Sequence, residues 1–180
     1  LADVEVLLTD RFPDAPAFEH AAEQTDGRVR GSDRSVDARD VPHDLEGPRT
    51  IVNAFHNFRP DDARAILTDA VERGVPIAIF EIMDRRAATL LPLVLVPLFV
   101  LLATPFVRPF RWGRFFWTYL VPVMPFLIFW DGLVSALRTY SPPELDELVD
   151  GLETYDWEID TTPAGGPGPA RITYLIGTPK

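Results

Sequence analysis

Seven side chains in this sequence combine a reactive type with a position that could expose it: Asp10, Asp37, Asn53, His56, Glu81, Trp130 and Asp131. Asp10 closes the run Val4-Glu5-Val6-Leu7-Leu8-Thr9-Asp10, where a strand-ending carboxylate can accept two hydrogen bonds at once. Asn53 and His56 end the next clear strand, and Glu81 ends the one after it. Ligands of open α/β sheets bind outside the carboxyl ends of parallel strands. His56 could act there as a general base or line a wall, or make only a local hydrogen bond at the start of a helix. Glu81 could face the same crevice or pair with Arg85 or Arg86. Trp130 and Asp131 end an apolar block and could border a substrate entrance. Other chemistries are excluded. There is no Cys, so disulfides, thiolate metal sites and cysteine nucleophiles are out. His20 and His43 lack partners at metal-ligand spacing. No Gly-x-Ser-x-Gly or phosphate-loop pattern occurs.

Local patterns predict the elements that position these residues. Residues 4–10 read as a strand and Pro13–Glu23 as a short helix. Residues 24–35 are polar and read as a loop, with a short strand end at Val36-Asp37-Ala38. Thr50–Phe55 reads as a buried strand. Pro60 then opens a helix, with Asp61 and Asp62 in its first turn. Ala63, Ile66, Leu67, Ala70 and Val71 form its buried face, and Gly74 ends it. Pro76–Glu81 is a second buried strand, so residues 50–81 form a βαβ unit with parallel strands. Ser141-Pro142-Pro143-Glu144 is a capping box, followed by the apolar stripe Leu145, Leu148, Val149 and Leu152. Trp157–Ile159 and Ile172–Ile176 read as an antiparallel pair at a sheet edge, joined by the Gly/Pro-rich segment 163–169.

Charge divides the 180 residues into three zones. Residues 1–86 hold 18 of the 27 acids, residues 87–140 hold only Asp131, and residues 141–180 hold eight. The net charge is −10, and 16 of the 17 basic residues are Arg. Such an acidic surface repels phosphate backbones, which argues against a nucleic-acid partner. Residues 87–107 and 115–130 carry no charge, and the first run is long enough to cross a bilayer. Ten of the 20 aromatics lie between Phe106 and Trp130. Pro92, Pro97, Pro105, Pro122 and Pro125 interrupt both runs and should kink or stop helices. The block therefore reads either as a membrane-associated hairpin or as a lid over an oily pocket. The expected organisation is an α/β core over 1–86, an apolar helical insert over 87–140, and a helix with a strand pair over 141–180 completing the same domain. The N-terminus is polar and shows no signal peptide, so the expected location is cytoplasmic, with membrane association through the insert.

The order of elements resembles class I S-adenosylmethionine-dependent methyltransferases from their second strand onward. Leu8-Thr9-Asp10, Ser35-Val36-Asp37-Ala38 and Asn53-Ala54-Phe55-His56-Asn57-Phe58 carry the resemblance. So does Glu72-Arg73-Gly74 followed by Pro76–Glu81. It covers residues 3–81 and 141–178. It implies a partial doubly wound, Rossmann-like sheet with a terminal antiparallel pair, and S-adenosylmethionine as cofactor. It implies that Asp10 holds the cofactor ribose, Asp37 contacts the adenine and Asn53 lines the cofactor site. His56 is then the candidate catalytic base, and Glu81, Trp130 and Asp131 face the substrate, a small lipophilic molecule. The family's first strand and glycine-rich loop would precede Leu1. Residues 1–180 thus read as the C-terminal portion of the family's domain, inactive alone, with the sheet broken where the central strand would lie. The alternative is a non-enzymatic, membrane-associated binding or scaffold module on the same fold.

Overall fold

The computed structural model describes residues 4–165 and 170–180, so Gly166–Pro169 of the expected 163–169 loop lie outside the described residues. The fold is mixed α/β. Strand β1 (Val6–Asp10), helix α1 (Ala15–Gln24) and strand β2 (Val29–Ser35) form one βαβ unit with parallel strands. Strand β3 (Arg49–Val52), helix α2 (Pro60–Glu72) and strand β4 (Ile77–Glu81) form another, as the sequence predicts. Strand β6 (Arg171–Pro179) runs antiparallel to β4 and to β5 (Tyr155–Pro163). The second sheet has the order β3-β4-β6-β5, which puts β5 at the edge. β1 and β2 form a separate two-stranded sheet, and no ladder joins β1 to β3 among the described residues. This is the expected break.

Two sequence expectations need correction. Residues 24–35 are not all loop, because 29–35 pair with β1. Val29 is the one apolar residue of VRGSDRS, so side-chain alternation could not reveal a strand held by backbone pairing. Its Gly31 also permits close packing: a Cβ there would lie 2.1 Å from the Phe18 ring of α1. The strand expected over 50–55 stops at Val52. Asn53 adopts φ of 50°, a left-handed conformation that carries the chain out of the sheet and into a 3₁₀ turn at Phe55–Asn57.

The core lies between α2, α7 (Pro142–Val149) and the four-stranded sheet. Phe55, Ile66, Leu67, Ile77, Ile79 and Leu175 are almost fully buried, with Tyr140, Leu145 and Leu148 packed beside them. Burying each large apolar side chain contributes about 1.5–3 kcal/mol. Pro60, Asp61 and Asp62 start α2 as expected, and Ala63, Ile66, Leu67 and Ala70 form its buried face. The capping box is present, with the Ser141 N–H donating to Glu144 Oε2 at 2.8 Å.

The apolar insert is helical. Its elements are α3 (Ala87–Leu93), α4 (Val96–Ala103), α5 (Trp112–Phe115) and α6 (Val123–Arg138), with a π turn at Phe116–Leu120. α3 and α4 run outward and pack against the returning α6. The prolines stop and bend helices as expected: α3 ends one residue after Pro92, and the chain turns sharply at Pro122. Pro97 and Pro105 occupy first-turn positions and Pro122 caps α6, where a missing N–H leaves nothing unsatisfied. Ala87–Phe106 is a 20-residue apolar stretch, about 30 Å long at the helical rise and mostly exposed. Trp112–Leu120 and Val123–Arg138 make a second apolar pair bent by 78°.

Candidate functional site

The carboxyl ends of β3 and β4 bring His56 and Glu81 together. Glu81 is the last residue of β4 and His56 sits in the 3₁₀ turn after β3; both are buried. The His56 backbone N–H donates to Glu81 Oε1 at 3.1 Å, and His56 Nδ1 lies 2.7 Å from Glu81 Oε2. One carboxylate thus holds both the turn and the ring; in a neutral imidazole this places the proton on Nδ1, facing the carboxylate, and makes Nε2 the acceptor. Nε2 makes no hydrogen bond with a described residue. The contact is not the local bond that a helix-start histidine would make, and Glu81 does not pair with Arg85 or Arg86. Arg85 bonds Glu144 at 3.0 Å and Arg86 bonds Asp84. Asn53 adjoins the pair through its N–H, which donates to the Phe80 carbonyl at 2.7 Å. The turn is locked from behind by Tyr140, whose ring packs on Phe55 (5.6 Å) and whose hydroxyl donates to the Phe58 carbonyl at 2.8 Å. Burial, with the nearby negative charge of Glu144 adding to it, raises the Tyr140 hydroxyl pKa.

Asp10 and Asp37 stand at the ends of the other sheet. Asp10 is exposed; its Oδ1 accepts the Phe12 N–H at 2.7 Å, and its Oδ2 has no partner among the described residues. Asp37 follows β2 and is clamped by Arg39, which donates from its backbone N–H, Nε and Nη2. The Arg39 side chain, then its backbone N–H, bring the Asp37 carboxyl down to about 2. Arg39 also reaches Asp62 of α2 at 2.7 Å, tying this turn to the larger unit. Trp130 is exposed on α6 and stacks on Phe126 with ring centroids 6.1 Å apart. Asp131 is exposed beside it. Neither hydrogen-bonds or ion-pairs with His56 or Glu81 among the described residues.

Sequence reading missed a cleft of about 530 Å³ at the root of the insert. Asp84, Arg85, Arg86, Tyr140, Arg171 and Thr173 contribute to its lining. Thr173 is buried on β6 directly opposite Glu81 in the ladder, so one residue of the cleft lining adjoins the His56–Glu81 pair. The available signal was the position of Arg85 and Arg86, which sit where an acidic zone meets an uncharged one.

No protein-family model matches the chain, and no curated protein matches it. Among solved structures it is similar to an O-methyltransferase family 2 protein from Planctomyces limnophilus DSM 3776, determined in complex with apigenin. That likeness has a TM-score of 0.51 and 13% identity over 98% of this chain and 43% of that one. A pericyclic reaction enzyme is also similar, at 13% identity and a TM-score of 0.49, over 98% of this chain and 36% of that one. The second likeness is too weak to add to the first. The chain spans less than half the length of these proteins. Together with the strand order, the first likeness shows the fold: a mixed α/β, methyltransferase-type sheet with a terminal antiparallel pair and an apolar helical insert.

Proposed function

We propose that this chain contributes to S-adenosylmethionine-dependent methyl transfer onto a hydroxyl of a small lipophilic acceptor, with His56 as general base. One observation carries the reading: a buried histidine–carboxylate pair at the carboxyl ends of adjacent parallel strands. Methyl transfer from a sulfonium is a direct displacement, so much of the rate comes from orientation. A hydroxyl acceptor gains further when a base removes its proton. Glu81 holds the ring, and Nε2 receives the proton.

The donor set fits the cofactor in part. The open oxygen of Asp10 suits a ribose hydroxyl, and Asn53 is exposed beside the pair. Asp37 is already saturated by Arg39, so an adenine contact there competes with a formed ion pair. When bound, the cofactor supplies the electrophilic methyl. On this reading residues 1–180 are inactive without the rest of the cofactor cradle, and the insert admits the apolar acceptor.

Calorimetry with S-adenosylmethionine on the full-length protein tests the reading, and saturable one-site binding is the expected result. The break between β1 and β3 favours a second reading, a membrane-associated scaffold without catalysis. Absence of any binding heat, with liposome binding retained, would select it.

A further inference from the structure

We propose that the cleft at the root of the insert seats a carboxylate or phosphate group, and that its ligand is an amphiphile whose apolar body runs out along the insert. The first observation is charge. Three guanidiniums, Arg85, Arg86 and Arg171, line the cleft in a chain of net charge −10; Glu144 pairs with Arg85 and Asp84 with Arg86, which leaves Arg171 without a carboxylate partner among the described residues. Concentrating basic groups against the sign of the whole molecule marks a place for an anion. The second is pre-organisation. Arg171 is half-buried and its Nη2 is anchored on the Thr161 carbonyl at 2.6 Å; Arg85 is anchored through Nη1 on Glu144 at 3.0 Å. Each anchor fixes a planar fork whose other N–H groups suit a carboxylate or phosphate.

The third observation is continuity. Residues 84–86 and 139–142 carry the chain into and out of the insert, so the cleft opens at its base. Leu91 on α3, which begins there, and Val94 at its C-terminal cap are 69% and 65% exposed. A ligand with its anion on Arg171 and Arg85 can lay its tail over this apolar surface. Thr173, which lines the cleft, is the ladder partner of Glu81, so the same ligand lies one strand away from the His56–Glu81 pair. As a statement about the methyl acceptor, the inference rests on the proposed function. As a statement about anion binding, it stands alone.

The test is equilibrium binding to the full chain without S-adenosylmethionine, so failure of the methyl-transfer reading leaves it interpretable. The probes are 11-(dansylamino)undecanoic acid and its primary amide, followed by dansyl fluorescence. The acid should bind about tenfold more tightly than the amide. Arg171→Gln and Arg85→Gln should each remove most of that preference while leaving amide binding unchanged, which also reports that the variants fold. Equal affinity for acid and amide, or an acid preference that survives the double variant, overturns the proposal. Inorganic phosphate that displaces the probe as well as dodecanoate does makes the cleft a free-anion site and overturns the amphiphile.

Discussion

A neutral imidazole has one proton for two nitrogens, so the partner of one nitrogen decides the role of the other. Glu81 takes both the backbone N–H and Nδ1 of His56, which dictates what Glu81→Gln would do. The amide oxygen would accept the backbone N–H, and the amide NH₂ would then face Nδ1 and force the proton onto Nε2. The shape survives and the tautomer is wrong. On the proposed function, Glu81→Gln should lower kcat by about 10²–10⁴ with little change in KM. A kcat within twofold of wild type would remove His56 from the base role. Asp37 yields a stability prediction. Its folded pKa of about 2 lies below the ordinary 3.8, so it stabilises the fold fully above the ordinary value. That contribution is lost as pH falls through the folded value. Acid unfolding followed by circular dichroism should show Asp37→Asn losing less stability than wild type between pH 4 and 2.

Pairing geometry and close approach govern the elements. Gly177 on β6 faces Trp157 on β5, and a Cβ at Gly177 would lie 2.3 Å from the indole. Trp157 cannot swing away cheaply, because its Nε1 donates to the Leu152 carbonyl at 3.0 Å and its ring stacks on Tyr155. Gly177→Ala should therefore destabilise by about 1–3 kcal/mol, lowering Tm by several degrees. An unchanged melting curve would show that the strand pair is looser than this packing implies. β2 and β3 show how a pattern misleads at this scale. A strand with polar residues on both faces leaves no periodic trace, and a strand ended by one left-handed residue looks longer than it is.

In the whole molecule, an acidic α/β core carries a helical insert whose apolar surface faces outward. Phe99, Phe106, Trp112 and Leu120 are 70%, 82%, 79% and 73% exposed, far more than scattered surface apolars would explain. Arg108, Arg111 and Arg114 lie at the turn between the outgoing and returning helices, beside a cluster of Phe110, Trp112, Phe115 and Tyr119. Aromatic rings with arginines suit a lipid–water interface. Liposome flotation should therefore carry the protein upward, and replacing residues 87–138 by a short Gly/Ser linker should abolish it. Protein left wholly in the soluble fraction would favour a lid over a membrane contact.

The sequence by itself determined what is local. The bounds of α2 follow from Pro60 and Gly74, the cap of α7 from Ser141 and Glu144, and the parallel β3–α2–β4 unit from short-range periodicity. The outline of the insert was also legible, because lack of charge over consecutive residues is a property of the chain. Tertiary structure decided what depends on distant partners. His56 and Glu81 are 25 residues apart, and only the parallel pairing of β3 with β4 makes them one group. Arg85 and Arg171 share a cleft because β6 inserts between β4 and β5, a choice that no local window contains. β2 is a strand only because β1 offers it backbone hydrogen bonds. Propensity and capping act within a few residues of chain, whereas ladders and charge clusters act through space.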